Sequence, residues 1–284
     1  MQKPWLSQYA GVAEHIDLNR FNSIPAIFDS AFARFSDRPM AINMGKSLTY
    51  REFDQYSRDV AAWLQTLGLQ KGDRIAIMMP NCLQYVVAVA AILRAGFCVV
   101  NVNPLYTTDE LAHQLKDSGA KAIFILDNFA VTLEHALPHL PDMQHIIVSK
   151  MGDFLGFKGR IVDFVLKYVK KMIPAWKIDN AISFKQVLAE SQNLAMTPVT
   201  LTHDDLAFLQ YTGGTTGVAK GAMLTHGNLV ANVLQITAWC KAAFDGMSEQ
   251  EQPIFLQALP LYHIFGFTAG AMYCMHIGGQ ALLI

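Results

Sequence analysis

Charge is scarce in this 284-residue sequence: Asp, Glu, Lys and Arg make up 16% of it and nearly cancel, at a formal net charge of −1. A chain so balanced has no electrostatic footprint for nucleic acid. Cysteine is equally thin. Cys82, Cys98, Cys240 and Cys274 stand far apart and lack metal-ligand spacing, which predicts free, buried thiols in a reducing cytoplasm. Met1–Tyr9 has no apolar core, so nothing there reads as a signal peptide. No internal repeat and no low-complexity tract occurs. No Gly-x-Ser-x-Gly elbow is present, which disfavours a serine hydrolase. His135 and His139 are four apart, but Pro138 between them and the lack of a third ligand argue against zinc. No metal-ligating set is expected anywhere in the chain. What is plentiful is apolar surface: 52% of residues are hydrophobic, enough for a well-buried core in one large or two ordinary domains.

The first half alternates strand and helix signals. Arg74–Met79 is an apolar run, Pro80-Asn81 supplies a break and a helix cap, and Leu83–Leu93 reads as a helix that Gly96 closes. Phe97–Val102 is the next strand. Thr107 or Thr108 then caps a helix with Asp109 and Glu110 in its first turn, and Gly119 ends it. Ala122–Leu126, a short helix near Ala130–Leu137, and His145–Ser149 follow. Strands apolar from end to end and separated by helices predict an α/β fold of mostly parallel sheets covered by helices.

Residues 253–284 carry no charged side chain, a stretch long enough to raise a membrane span. Gln257, Pro260, His263, His276 and Gln280 interrupt it, so a buried strand–loop–helix–strand path fits better. The chain stops at Ala281-Leu282-Leu283-Ile284, which reads as a buried strand with no turn after it. The sequence is therefore expected to be incomplete at its C-terminus.

Residues 211–221 read Tyr-Thr-Gly-Gly-Thr-Thr-Gly-Val-Ala-Lys-Gly. Gly213, Gly214 and Gly217 let backbone N–H groups turn toward a ligand. The Thr212, Thr215 and Thr216 hydroxyls add donors, and Lys220 adds a positive charge. Clustered N–H donors beside a cation suit a polyphosphate. Lys220 follows Ala219 and precedes Gly221, unlike a Walker A loop, and the dinucleotide spacing is absent too. The flanks, Ala207–Tyr211 and Gly221–Thr225, read as two strands, with a helix starting near Thr225–Asn228. His226 is expected to help cap that helix and anchor the loop.

Here the chain resembles the adenylate-forming (AMP-binding) acyl-CoA synthetases, most of all their bacterial long-chain-fatty-acid members. Thr212–Gly221 is similar to the family's phosphate-binding signature, and Pro260-Leu261-Tyr262-His263-Ile264-Phe265-Gly266 to its next core motif. Tyr50-Arg51-Glu52-Phe53 fits upstream, and the likeness runs from Trp5 to Ile284. One departure is Ala219, where many members carry proline, whose stiffer backbone the loop forgoes. The resemblance implies that residues 1–284 are the N-terminal part of an adenylation domain. The adenine-contacting segment with its Mg²⁺-binding glutamate and the small C-terminal domain would come later, so the chain alone is expected to lack ligase activity. It further implies ATP, Mg²⁺ and coenzyme A, and a long-chain fatty acid as substrate. Thr212, Gly213, Gly214, Thr215, Thr216, Gly217 and Lys220 would surround the β- and γ-phosphates. His263 would lie beside the acyl carboxylate and the α-phosphate as an orienting donor, so His263 and Lys220 are the catalytic candidates. An adenylating ligase for another carboxylic acid, or a truncated nucleotide- or membrane-binding remnant, are the alternatives.

Residues 150–200 break the rhythm and read as a basic amphipathic insert. Ile161–Ile173 is apolar except for Asp163, Lys167, Lys170 and Lys171, a narrow stripe at helical spacing. Lys158, Arg160 and Lys177 flank it, with Trp176 just past Pro174. Two readings follow: a helix packed on the domain with its polar stripe in water, or peripheral contact of residues 158–177 with the anionic inner face of a membrane.

Overall fold

The computed structural model describes residues 3–9, 11–212, 219–244, 246–248 and 251–284. After two short 3₁₀ turns, α1 (Ile24–Phe35) starts at Ser23, whose hydroxyl accepts from the Ala26 N–H, with Pro25 in the first turn where its missing N–H costs nothing. β1 (Pro39–Asn43) and β2 (Lys46–Thr49) form a hairpin. Its two turn residues, Met44 and Gly45, both have positive φ (49° and 80°), as a tight hairpin matched to strand twist requires. α2 (Tyr50–Gln65) opens with a capping box between Thr49 and Glu52.

The alternation then proceeds much as the sequence predicts. β3 (Arg74–Met78), α3 (Leu83–Arg94), β4 (Cys98–Asn101), α4 (Thr108–Ser118), β5 (Ala120–Leu126), α5 (Ala130–Ala136) and β6 (His145–Ser149) follow in turn. Thr107 and Glu110 form the α4 capping box, and Gly119 closes α4 in the left-handed region at φ 61°. One local expectation is overturned. Cys82, not Asn81, occupies the N-cap of α3, and no side chain bonds there. Asn81 turns away to serve residues 257–261 instead.

Residues 150–200 carry α6 (Phe157–Phe164), which widens into a π-helical turn at Val165–Val169, then β7 (Ala181–Ser183) and α7 (Phe184–Ser191). β8 (Leu206–Thr212), β9 (Lys220–Thr225) and α8 (His226–Cys240) come next. The chain closes with β10 (Ile254–Gln257), a π-helical stretch Gly266–Met272, α9 (Tyr273–His276) and β11 (Gln280–Leu283).

The large sheet has the order β7-β6-β5-β3-β4-β8-β9 and is parallel throughout except for the antiparallel edge pair β8–β9. The small sheet, β10-β11-β1-β2, pairs β11 in parallel with both of its neighbours. α3 lies between the two, touching β1 of one sheet and β3 and β4 of the other. All of its residues are buried, as a helix apolar on every face demands. The charge at its end, Arg94, survives burial because Asp29, Asp54 and the Ser57 hydroxyl receive its guanidinium, while Phe32 stacks 4.9 Å beneath it. The uncharged run from residue 253 onward forms a strand, a loop, a helical stretch and a strand, and no described helix is long and apolar enough to cross a membrane. The thiols of Cys82, Cys98 and Cys274 are free and buried.

The segment predicted as one helix over Ile161–Ile173 starts and ends four residues earlier and is turned around. Its α-helical and π-helical parts span Phe157–Val169, and the chain leaves at Lys171, which has φ 52°. A side chain at Gly159 would place Cβ 2.0 Å from the Gly152 carbonyl oxygen, so α6 docks backbone against backbone. One turn on, the Asp163 carboxylate accepts from the Gly152 N–H at 2.9 Å. The polar stripe therefore begins by facing the protein. Phe157, Ile161, Phe164 and Tyr168, spaced i, i+4, i+7 and i+11, face out, from 54% to 76% exposed. The reading in which the apolar face packs on the domain is wrong, because two glycines and a half-buried carboxylate dock there more closely than large side chains would.

Candidate active site

β8 and β9 carry the two ends of the Gly- and Thr-rich motif to one place. Thr212 and Lys220 are register partners across this antiparallel pair. Both side chains are exposed, and no described carboxylate pairs with the Lys220 ammonium. Gly213, Gly214, Thr215, Thr216 and Gly217 lie outside the described residues. The last glycine of the motif has a structural duty. A Cβ at Gly221 would sit 2.9 Å from the ring of Tyr211, its cross-strand partner. That tyrosine hydroxyl in turn donates to the Asp117 carboxylate at 2.5 Å, and burial and the carboxylate together push its pKa up.

The second motif, Pro260–Gly266, is held against the same strand. Gln210 of β8 donates through Nε2 to the Tyr262 carbonyl at 3.2 Å, and the rings of Phe208 and Phe267 lie 5.0 Å apart. Gln210 Oε1 accepts from Asn101, its register partner on β4, at 3.3 Å. The Tyr85 hydroxyl bridges Asn101 Oδ1 (2.9 Å) and the Leu261 carbonyl (2.7 Å). Asn81 accepts from the Leu261 N–H at 2.8 Å and donates to the Gln257 and Leu259 carbonyls at 2.9 and 3.1 Å. Every polar atom in this buried chain of amides has a reason to be there: a loop cannot run under a sheet with its backbone groups unpaired. Two of these residues left a trace in the sequence. Asn101 and Gln210 are amides inside otherwise apolar strands, which is costly unless they bond to something.

His263 sits at the head of the helical stretch that follows. Its Nδ1 accepts from the Phe265 N–H at 3.3 Å, and its carbonyl accepts from the Phe267 N–H. A neutral imidazole that accepts at Nδ1 carries its proton on Nε2, so the exposed ring offers a donor. Gly266 is required here, because a Cβ would lie 2.3 Å from the Pro260 carbonyl oxygen. The structure thus brings Lys220, Thr212 and the His263 motif onto one scaffold.

His226 acts differently from expectation. Thr225 and Asn228 form the α8 capping box, and His226 Nδ1 instead accepts from the Ile24 N–H, tying down the start of α1. Burial pulls its pKa down to about 4. Cavity volume is no guide to the site. A hollow of about 550 Å³ is lined by Arg34, Phe35, Arg38, Lys241, Phe244 and Tyr273 among others, and by no residue of either motif.

A mostly parallel sheet thus carries Thr212 and Lys220 on its antiparallel edge pair, beside a second loop bearing His263. The chain belongs to the AMP-binding enzyme family, matching its profile over residues 28–284. It is 48% identical over its whole length to a long-chain-fatty-acid–CoA ligase of Salmonella typhimurium and 34% identical to one of Bacillus subtilis. In both cases the chain spans about 50% of the relative's length. Among solved structures, an anthranilate CoA ligase in complex with anthranoyl-AMP superposes with a TM-score of 0.75 at 18% identity, over 95% of this chain and 46% of that one. A long-chain-fatty-acid-CoA ligase from Archaeoglobus fulgidus gives 0.67 at 23%, over 92% of this chain and 47% of that one. At these identities the superpositions speak for the fold.

Proposed function

We propose that this chain supplies the phosphate-gripping half of an enzyme that activates a long-chain fatty acid with ATP and passes the acyl group to coenzyme A. The observation that carries the reading is the shared anchoring of two family motifs: Gln210 and Phe208 tie the strand entering the first to the loop and helix of the second. A carboxylate is a poor acyl donor. Its attack on the α-phosphorus of ATP expels pyrophosphate and leaves an acyl-adenylate, whose carbonyl the coenzyme A thiol then attacks, releasing AMP. The obstacle in the first step is repulsion between anions, which fixed donors and cations offset.

Thr212, Gly213, Gly214, Thr215, Thr216, Gly217 and Lys220 would hold the β- and γ-phosphates. The His263 Nε2–H would orient the fatty-acid carboxylate toward the α-phosphate. Mg²⁺ would screen the phosphates when bound. Among the described residues no cluster of three His, Cys, Asp or Glu side chains could hold it, and no step is routed through it. Steps that need residues outside this chain belong to the same proposal.

Lys220→Ala tests it. Loss of one charge-assisted bond to phosphate should weaken ATP binding about tenfold or more, measured by calorimetric titration. ATP–pyrophosphate exchange with oleate should fall in parallel, and His263→Ala should slow exchange with less effect on ATP affinity. Unchanged affinity and exchange in Lys220→Ala would sink the assignment. A second reading concerns residues 158–177: their outward Ile161, Phe164 and Tyr168, which continue a stripe begun by Phe157 and are flanked by lysines, suit peripheral contact with the bilayer from which such a substrate comes.

A further inference from the structure

Below the outward stripe of α6 lie two adjoining hollows, of about 450 and 220 Å³, which share Lys150, Asp163 and Lys167. They open past the carboxyl ends of β5, β6 and β7, the edge at which open parallel sheets receive ligands. The larger is lined by Lys150, Arg160, Lys167 and Lys185, with Asp153 and Asp163 as its acids. Asp127 borders the smaller.

The acids of the larger hollow are already engaged. Asp153 accepts from the Lys150 N–H at 2.8 Å and the Ser149 hydroxyl at 3.1 Å, and its other oxygen lies 3.7 Å from Lys185. Asp163 accepts from the Gly152 N–H. These bonds fix the turn between β6 and α6. By contrast, Lys150, Arg160 and Lys167 have no carboxylate within ion-pair distance among the described residues. Three unpaired cations thus converge on one concavity, and Phe164 and Tyr168 stand both on its wall and in the exposed apolar stripe.

We propose that this hollow holds the phosphate of an anionic phospholipid while the stripe above it enters the acyl layer. The inference rests on the bilayer contact proposed for residues 158–177 and adds a seat for one headgroup. A free anion would explain the cations but not the aromatic and aliphatic rim beside them. Charge in general would explain lysines on the outer surface, such as Lys158 and Lys170, but not their gathering in a cavity.

The test uses the purified protein, short-chain phosphatidylglycerol below its micelle concentration, and vesicles of phosphatidylcholine with and without phosphatidylglycerol. The soluble lipid should bind saturably, one to one, by calorimetry. Lys150→Gln/Lys167→Gln should weaken that binding roughly a hundredfold, two charge-assisted contacts being lost. Lys158→Gln/Lys170→Gln, with the same change in charge, should leave it within about threefold, and should cost vesicle binding roughly fivefold per lysine, a loss that salt erases. The seat is overturned if both double variants behave alike toward soluble lipid, or if inorganic phosphate binds as tightly as the lipid does. Ile161→Glu/Phe164→Glu reads the underlying contact separately: vesicle binding equal to wild type in that variant would refute the bilayer reading itself.

Discussion

Replacing Asn81 by alanine should cost this protein about 3 kcal/mol, far more than its position beside a helix start suggests. The side chain closes three hydrogen bonds between the entrance of α3 and residues 257–261. Not all three count equally. The Leu259 carbonyl keeps a second donor, Gln257 Nε2 at 2.9 Å, whereas the Leu261 N–H loses its acceptor in a buried setting. One net bond, to the Gln257 carbonyl, at about 1 kcal/mol, plus one orphaned buried donor at about 1–3 kcal/mol, gives roughly 3 kcal/mol. In urea this is a midpoint shift on the order of 1 M. Asn22→Ala is the control: that exposed residue only accepts from the neighbouring Ser23 hydroxyl, and its loss should stay within about 0.5 kcal/mol. If Asn81→Ala unfolds within about 0.5 kcal/mol of wild type, the claim that this amide holds the His263 loop in place is wrong.

Gly266→Ala should destabilise by about 1–3 kcal/mol and slow exchange, since its Cβ would meet the Pro260 carbonyl and push the His263 turn open; an unshifted melting temperature would refute that close approach. Stability should also fall on mild acidification. Burial holds His226 and His276 neutral, each at about 4, so their contribution is complete above the unfolded value near 6.5 and is lost as pH drops from there toward 4. Asp127, raised to about 6 by burial, works in the opposite sense and gains stability below 6. Between pH 7 and 5 the histidines lose about 2 kcal/mol each and Asp127 returns about 1 kcal/mol, a net loss of roughly 2–3 kcal/mol visible in urea titrations. A midpoint that rises on acidification would show that the aspartate outweighs the pair.

Much of this protein was legible before folding because its signals are local. Thr107 with Glu110, Gly119, and the apolar runs around Ile75 and Ile123 set caps and strands through contacts within a few residues. The phosphate grip proposed for the Thr212–Lys220 motif rests on residue types in sequence, and what the fold adds is the register of β8 and β9 that aligns its two ends. What folding alone decided was which groups meet across long separations. No local pattern says that Asn81 serves Leu261, that Gln210 reaches Tyr262, or that His226 holds Ile24. Nor does periodicity say which side of an amphipathic helix faces in. In α6, contact between Gly152 and Gly159 and the Asp163 bond to Gly152 set the docked side, leaving the apolar stripe facing out, because backbone in close contact excludes a layer of large side chains.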